Sequence, residues 1–159
     1  MSDISRAETI HMLSRTPLFE GLTKRQLTAI AKVVDYQAYD PGAVLIREQE
    51  EVQRLVIIRS GTAAVTRRGV VSQEGRGVQE GAGRRLATVG PGDVVGELSL
   101  IDGKRASASV VAETPLDALL LYRTRFRKLL SSMPDLYPRL LLTMAARIRA
   151  IDHRNDVIG

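Results

Sequence analysis

The chain has 159 residues, 44% of them hydrophobic and 26% charged, enough for one ordinary domain with a single core and a solvated surface. It contains no cysteine, which excludes disulfides, thiolate metal sites and cysteine nucleophiles. Aromatic residues reach only 4% with no tryptophan, so Val, Leu, Ile and Ala have to build the core. The net charge of +5 invites a nucleic-acid reading. The excess is spread, however, over Arg67, Arg68, Arg76, Arg84, Arg85 and the last third of the chain. No segment interleaves aromatic with basic residues and no helix-turn-helix fits the tail, so direct nucleic-acid binding is not expected. The start carries Asp3 and Glu8 and has no apolar block of signal-peptide length. The run from Leu116 to Tyr122 falls far short of a membrane span. The expectation is a soluble cytoplasmic protein without membrane attachment.

Ile4, Ala7, Ile10 and Leu13 have helical spacing, and Thr16-Pro17 stops that helix because the residue before proline is driven out of the α region. Thr23 and Gln26 form the capping-box pattern, with Leu22 and Leu27 set for a hydrophobic staple, so a second helix runs from there to about Val33 or Val34. From Asp35 short apolar runs alternate with turn residues. Tyr36–Tyr39, Ala43–Arg47, Leu55–Arg59, Thr62–Thr66, Arg85–Val89, Ser109–Ala112 and Ala118–Tyr122 read as strands. Asp40-Pro41-Gly42, Ser60-Gly61, Gly90-Pro91-Gly92-Asp93 and Asp102-Gly103 punctuate them. The glycine-rich stretch from Gly69 to Gly83 reads as a long, mobile hairpin connection and matches no nucleotide-loop pattern. Helix returns with Phe126, Leu129, Leu130 and Met133 on one face, and a last helix opens near Pro134 or Asp135. Tyr137, Leu141, Met144, Ile148 and Ile151 follow a 4-3-4-3 spacing, a seam that either packs on its own domain or forms a homodimer contact.

The fold class is therefore mainly β with flanking helices: an antiparallel β-roll or jelly roll (double-stranded β-helix) with N-terminal and C-terminal α-helices. One domain spans 1–159, with N-terminal helices over 1–34, the β-roll over 35–123 and C-terminal helices over 124–153.

Chemistry concentrates in Gly90 to Ala112. Gly96 marks a bend or a close approach of the backbone. Glu97 to Ile101 can form one helical turn whose starting N–H groups suit an anion. Glu97 can accept from hydroxyls, while Lys104 and Arg105 offer cationic donors for a phosphate. A carboxylate, free amides and a guanidinium in one loop suit a small ligand with a diol edge and an anionic group; a polar turn between strands is the plain alternative.

Gly96-Glu97-Leu98-Ser99-Leu100 and Ala108-Ser109-Val110 resemble the two ends of the phosphate-binding cassette of the cyclic nucleotide-binding domain family. That family includes catabolite activator proteins and the regulatory subunits of cAMP-dependent protein kinase. Pro17-Leu18-Phe19 with Gly21-Leu22, Pro41-Gly42 with Ile46-Arg47-Glu48, Ile57 to Gly61 and Gly90 to Asp93 follow the family's spacing, so the resemblance covers about Leu13 to Ile151. It implies a ligand site of Gly96, Glu97, Leu98, Ser99, Arg105, Ala106 and Ser107 for cAMP or cGMP. Glu97 would hold the ribose 2′-hydroxyl, and Tyr137, Leu141 or Met144 would cover the base. It further implies a stand-alone regulatory sensor that signals to a partner protein through its C-terminal helix.

Three departures bear on this. The arginine of the family's Pro-Arg pair falls at Ala106 in an ungapped register, and Arg105 stands one position early. Val94-Val95 replaces a frequent aromatic pair. Gln49-Glu50 and Val52 occupy a turn where the family often has glycines. The alternative function is a degenerate domain that binds cyclic nucleotide poorly and serves as a protein-interaction or dimerisation module. Lys104-Arg105-Ala106-Ser107 also looks like a basophilic kinase target. His11 and His153 have no ligand spacing to acidic pairs, and Glu97 has no carboxylate partner, so neither a metal, a cofactor nor an enzyme is expected.

Overall fold

This computed structural model describes residues 4–68, 84–96 and 103–158; in the last helix the side chains of Met144, Arg147, Ala150 and 151–158 are not described. The chain divides into two compact units, one of residues 1–34 with 124–159 and one of residues 35–123.

The first unit is helical. Helix α1 (Arg6–Ser14) is capped by Ser5, whose Oγ accepts from the Glu8 N–H at 3.1 Å. Thr16 is extended, as a residue before proline must be, and Pro17–Phe19 then makes a 3₁₀ turn that buries Leu18 and Phe19. Sequence periodicity did not reveal this turn, since three residues are too few to show a period. Helix α2 (Lys24–Ala31) opens on the expected capping box. The Thr23 N–H donates to Gln26 Oε1 at 2.9 Å, and the Gln26 N–H donates to Thr23 Oγ1 at 3.2 Å. It ends two or three residues before the expected Val33 or Val34, where that β-branched pair leads the chain out of the helix toward β1. Helices α3 (Arg123–Ser132) and α4 (Leu136–Ile158) follow, with Pro134 in the turn between them and Pro138 in the first turn of α4.

The second unit is all β. Its strands are β1 (Asp35–Tyr39), β2 (Val44–Ile46), β3 (Arg54–Ser60), β4 (Ala63–Arg67), β5 (Arg84–Val89), β6 (Val94–Val95), β7 (Ser109–Ala112) and β8 (Leu116–Tyr122). They form two antiparallel sheets ordered β1-β8-β3-β6 and β2-β7-β4-β5. Strand β3 lies between β8 and β6, with Leu55 opposite Leu121 and Val56 opposite both Leu120 and Val95. Strand β4 pairs β5 from Ala63↔Val89 to Arg67↔Arg84; the proposed mobile connection at 69–83 lies outside the described residues. Inward side chains of both sheets meet in one core that includes Leu45, Val56, Ile58, Val110, Leu116 and Leu120. Burial runs unbroken from Leu55 to Ile58 in β3, the strand held between β8 and β6. The result is the antiparallel β-roll with flanking helices that the turn spacing predicted.

Candidate functional site

Strand β6 delivers the chain to Gly96, whose backbone has φ +84°. A Cβ at this position would lie 2.7 Å from the Arg54 carbonyl oxygen and 3.2 Å from both Ile46 Cδ1 and Val52 Cγ1. Backbone conformation and space therefore both demand glycine.

Gly96 borders a cavity of about 220 Å³ in the β unit. Ile46, Val52, Val65, Val94, Val95 and Val110 give it an apolar lining, and Ala106, Ser107 and Ala108 also border it. Among the described residues, no charged side chain lines it. In the sequence Val52 and Val94-Val95 depart from the family's pattern, and Val94-Val95 reads as a short strand. Their role as lining depends on strand pairing across the roll and leaves no local signal.

Of the expected site residues, Gly96, Ala106 and Ser107 come together on this cavity. Glu97, Leu98 and Ser99 lie outside the described residues, as does the helical turn expected there. Arg105 does not line the cavity. Its Nη1 donates to the Gln49 carbonyl at 2.9 Å, and its backbone pairs with Glu51 in an antiparallel bridge. The next residue doubles this tie: the Ala106 N–H donates to the Glu50 carbonyl and the Gln49 N–H to the Ala106 carbonyl, each at 2.9 Å. Ala106 is buried while Arg105 is exposed, so the buried position in this segment carries a methyl group and no charge.

The turn that receives Arg105 has its own constraint. Gln49 adopts φ 70°, a left-handed conformation more usual for glycine, in the turn where the resembled family often has glycines. Bonds on either side hold the segment in place. The Glu48 N–H donates to Ser109 Oγ at 2.8 Å, and Arg67 Nε donates to the Ser107 carbonyl at 3.0 Å. Beneath the turn, Arg54 donates to the Leu45 carbonyl and lies 3.9 Å from Glu50. Burial of the nearby Tyr39 phenol raises its pKa above the ordinary tyrosine value, and the Arg54 charge and hydrogen bond only partly oppose this.

Tyr137 and Leu141, expected to cover a base, lie on α4 in the helical unit with 49% and 53% of their surface exposed; the Met144 side chain is not described. Among the described residues no helix is long and apolar enough to cross a membrane, and no cluster of ligating side chains could hold a metal ion.

Residues 36–133 match the sequence profile of the cyclic nucleotide-binding domain, well over half of the chain, and the protein belongs to that family. The family is a regulatory, nucleotide-binding one rather than a catalytic one. The chain is 29% identical over 144 residues to the cyclic AMP receptor protein of Thermus thermophilus, covering 91% of this chain and 62% of that protein. It is 30% identical over 131 residues to the cGMP-dependent protein kinase egl-4 of Caenorhabditis briggsae, covering 82% of this chain and 16% of the kinase. It thus spans less than two thirds of either relative. Among solved structures, the regulatory subunit of a cAMP-independent protein kinase A from Trypanosoma brucei superposes with a TM-score of 0.66 at 28% identity, over 84% of this chain and 46% of that one.

Proposed function

We propose that this chain is a regulatory sensor that takes a cyclic mononucleotide, cAMP or cGMP, in the cavity beside Gly96 and signals its occupancy to a partner protein through helix α4. One observation carries the reading: Gly96 and Ala106–Ala108, from the two ends of the cassette-like motif, border the same cavity although the motif runs on between them. The apolar lining suits the faces of a purine, and Glu97 is the proposed acceptor for the ribose hydroxyl. Ligand-dependent signalling then requires only that the cyclic nucleotide prefer one of two states of the domain. Curated relatives named for cAMP and for cGMP support the ligand class.

The engagement of Arg105 with Gln49 favours a second reading. With no cation lining the cavity among the described residues, the fold could serve without a nucleotide, as an interaction or dimerisation module. The kinase subunit from Trypanosoma brucei, described as cAMP-independent, gives this reading a structural relative. A missing charge-assisted hydrogen bond lowers affinity by about one to two powers of ten. The sensor reading therefore expects weak but saturable binding of cAMP or cGMP in isothermal titration, abolished by Glu97→Ala. Absence of heat and of any thermal shift at millimolar nucleotide would leave the second reading standing.

A further inference from the structure

A second concavity lies entirely within the helical unit. It has a volume of about 650 Å³ and runs between α2 and the end of α3. Ala29, Val33, Leu129 and Met133 supply apolar surface, and Lys24, Arg25 and Lys32 supply three cations; among the described residues no carboxylate lines it. The arrangement follows from helix geometry. Lys24 and Thr28, and beside them Arg25 and Ala29, stand one turn apart on α2, and Lys32 and Val33 extend the lining past the helix's C-terminal end, so charge and methyl groups lie side by side.

The groove is braced by hydrogen bonds. Arg125 Nη1 donates to the Val33 carbonyl at 3.1 Å, tying α3 to the end of α2. The buried Gln26 donates through Nε2 to Asp135 Oδ2 at 3.0 Å, tying the start of α2 to the segment after α3. Both bonds lie within the helical unit and hold the walls of the groove to each other.

Two of the three charges are arranged against the helix's own interest. Lys24 and Arg25 stand in the first turn of α2, where the helix dipole disfavours cations, and that turn contains no acidic residue. None of Lys24, Arg25 and Lys32 has an ion-pair partner among the described residues. Three exposed cations around an apolar strip complement a ligand that is apolar on one side and acidic along its edges.

We infer that this groove docks an acidic amphipathic helix of a partner protein, with its apolar stripe on Ala29, Val33, Leu129 and Met133 and its carboxylates on Lys24, Arg25 and Lys32. A helix is favoured because anchors spaced by three and four residues match the spacing of the groove's own helical rows. The site is independent of the β-unit cavity and stands whether or not that cavity takes a nucleotide.

Fluorescence anisotropy tests it with the whole chain and a labelled, designed peptide of about four helical turns, carrying Leu along one face and Glu on both flanks. Saturable binding is expected, weakened about tenfold when NaCl is raised from low to high concentration, because the contacts are exposed ion pairs. Lys24→Glu with Lys32→Glu should weaken it by a similar factor, and Ala29→Asp, at a partly exposed helix position, should weaken it through the apolar strip. Circular dichroism of each variant verifies folding. The inference is overturned by any of three results: no binding at millimolar peptide, binding unchanged by both sets of substitutions, or equal binding of a scrambled peptide of the same composition. Binding to vesicles of equimolar phosphatidylcholine and phosphatidylglycerol without binding to the peptide would also overturn it.

Discussion

Gly96 and Ala106 border the same cavity, and a side chain means something different at each. At Gly96 any Cβ meets the Arg54 carbonyl oxygen at 2.7 Å, in a conformation that L residues avoid. Left-handed backbone alone costs about 1–2 kcal/mol for a non-glycine residue. Gly96→Ala should therefore lower stability by at least that much in urea unfolding followed by circular dichroism; an unchanged midpoint would mean that the backbone relaxes freely there. At Ala106 the consequence is chemical. Ala106→Arg puts a guanidinium at the register where the resemblance expects one, beside the cavity that Ala106 lines. Affinity for cAMP or cGMP should rise about tenfold or more, read by isothermal titration alongside a melting curve, because Ala106 is buried. No gain in a folded variant would count against the phosphate lying on this side of the cavity. The tyrosine at position 39 adds a pH effect. Its folded-state pKa is raised, chiefly by burial, so the native state holds its proton where the unfolded chain releases it. That preference leaves stability intact below about pH 10 and removes it progressively as the pH climbs from there toward the raised value. Tyr39→Phe should flatten that alkaline decline in chemical denaturation, and an unaltered decline would trace it to other groups.

At the scale of elements, whatever is encoded locally could be read from the sequence. The capping box of α2 was legible because its four residues make both of its bonds within one turn. Thr23→Ala should destabilise the protein by about 1 kcal/mol, seen as a lower urea midpoint at unchanged slope. The strands were legible from their alternation and punctuation, apart from a residue or two at their ends. What depends on distant partners was not. The order β1-β8-β3-β6 joins segments far apart in sequence, and nothing within a strand names its neighbour. Arg105 shows the same limit at a site: the sequence showed that it was one position early, but its acceptor is a carbonyl 56 residues away. The basic groove on α2 was likewise invisible, because its second wall comes from Leu129 and Met133, about a hundred residues downstream.

The whole molecule leaves a question of assembly, and helix α4 decides it. Tyr137, Leu141 and Ile148 keep the seam spacing read from the sequence, and each is about half exposed or more, at 49%, 53% and 57%. Leu142, on the adjoining row, is 67% exposed. Apolar side chains recurring along one helix at that spacing are the pattern that a second helix covers. A closed pair of identical chains would bury the seam on both copies at once, since a two-fold axis brings the same surface to itself. Light scattering coupled to size exclusion should therefore give a dimer at micromolar concentration. Leu141→Glu with Ile148→Glu should convert it to a monomer of unchanged helical content, because both positions are exposed within one chain. The nature of the contact can be tested too. Hydrophobic association should persist in high salt, whereas docking on the basic groove should weaken there, so one salt titration separates the two surfaces. A monomer at every concentration, with the seam intact, would show that the exposed stripe on α4 awaits a different protein, as the partner-signalling reading requires.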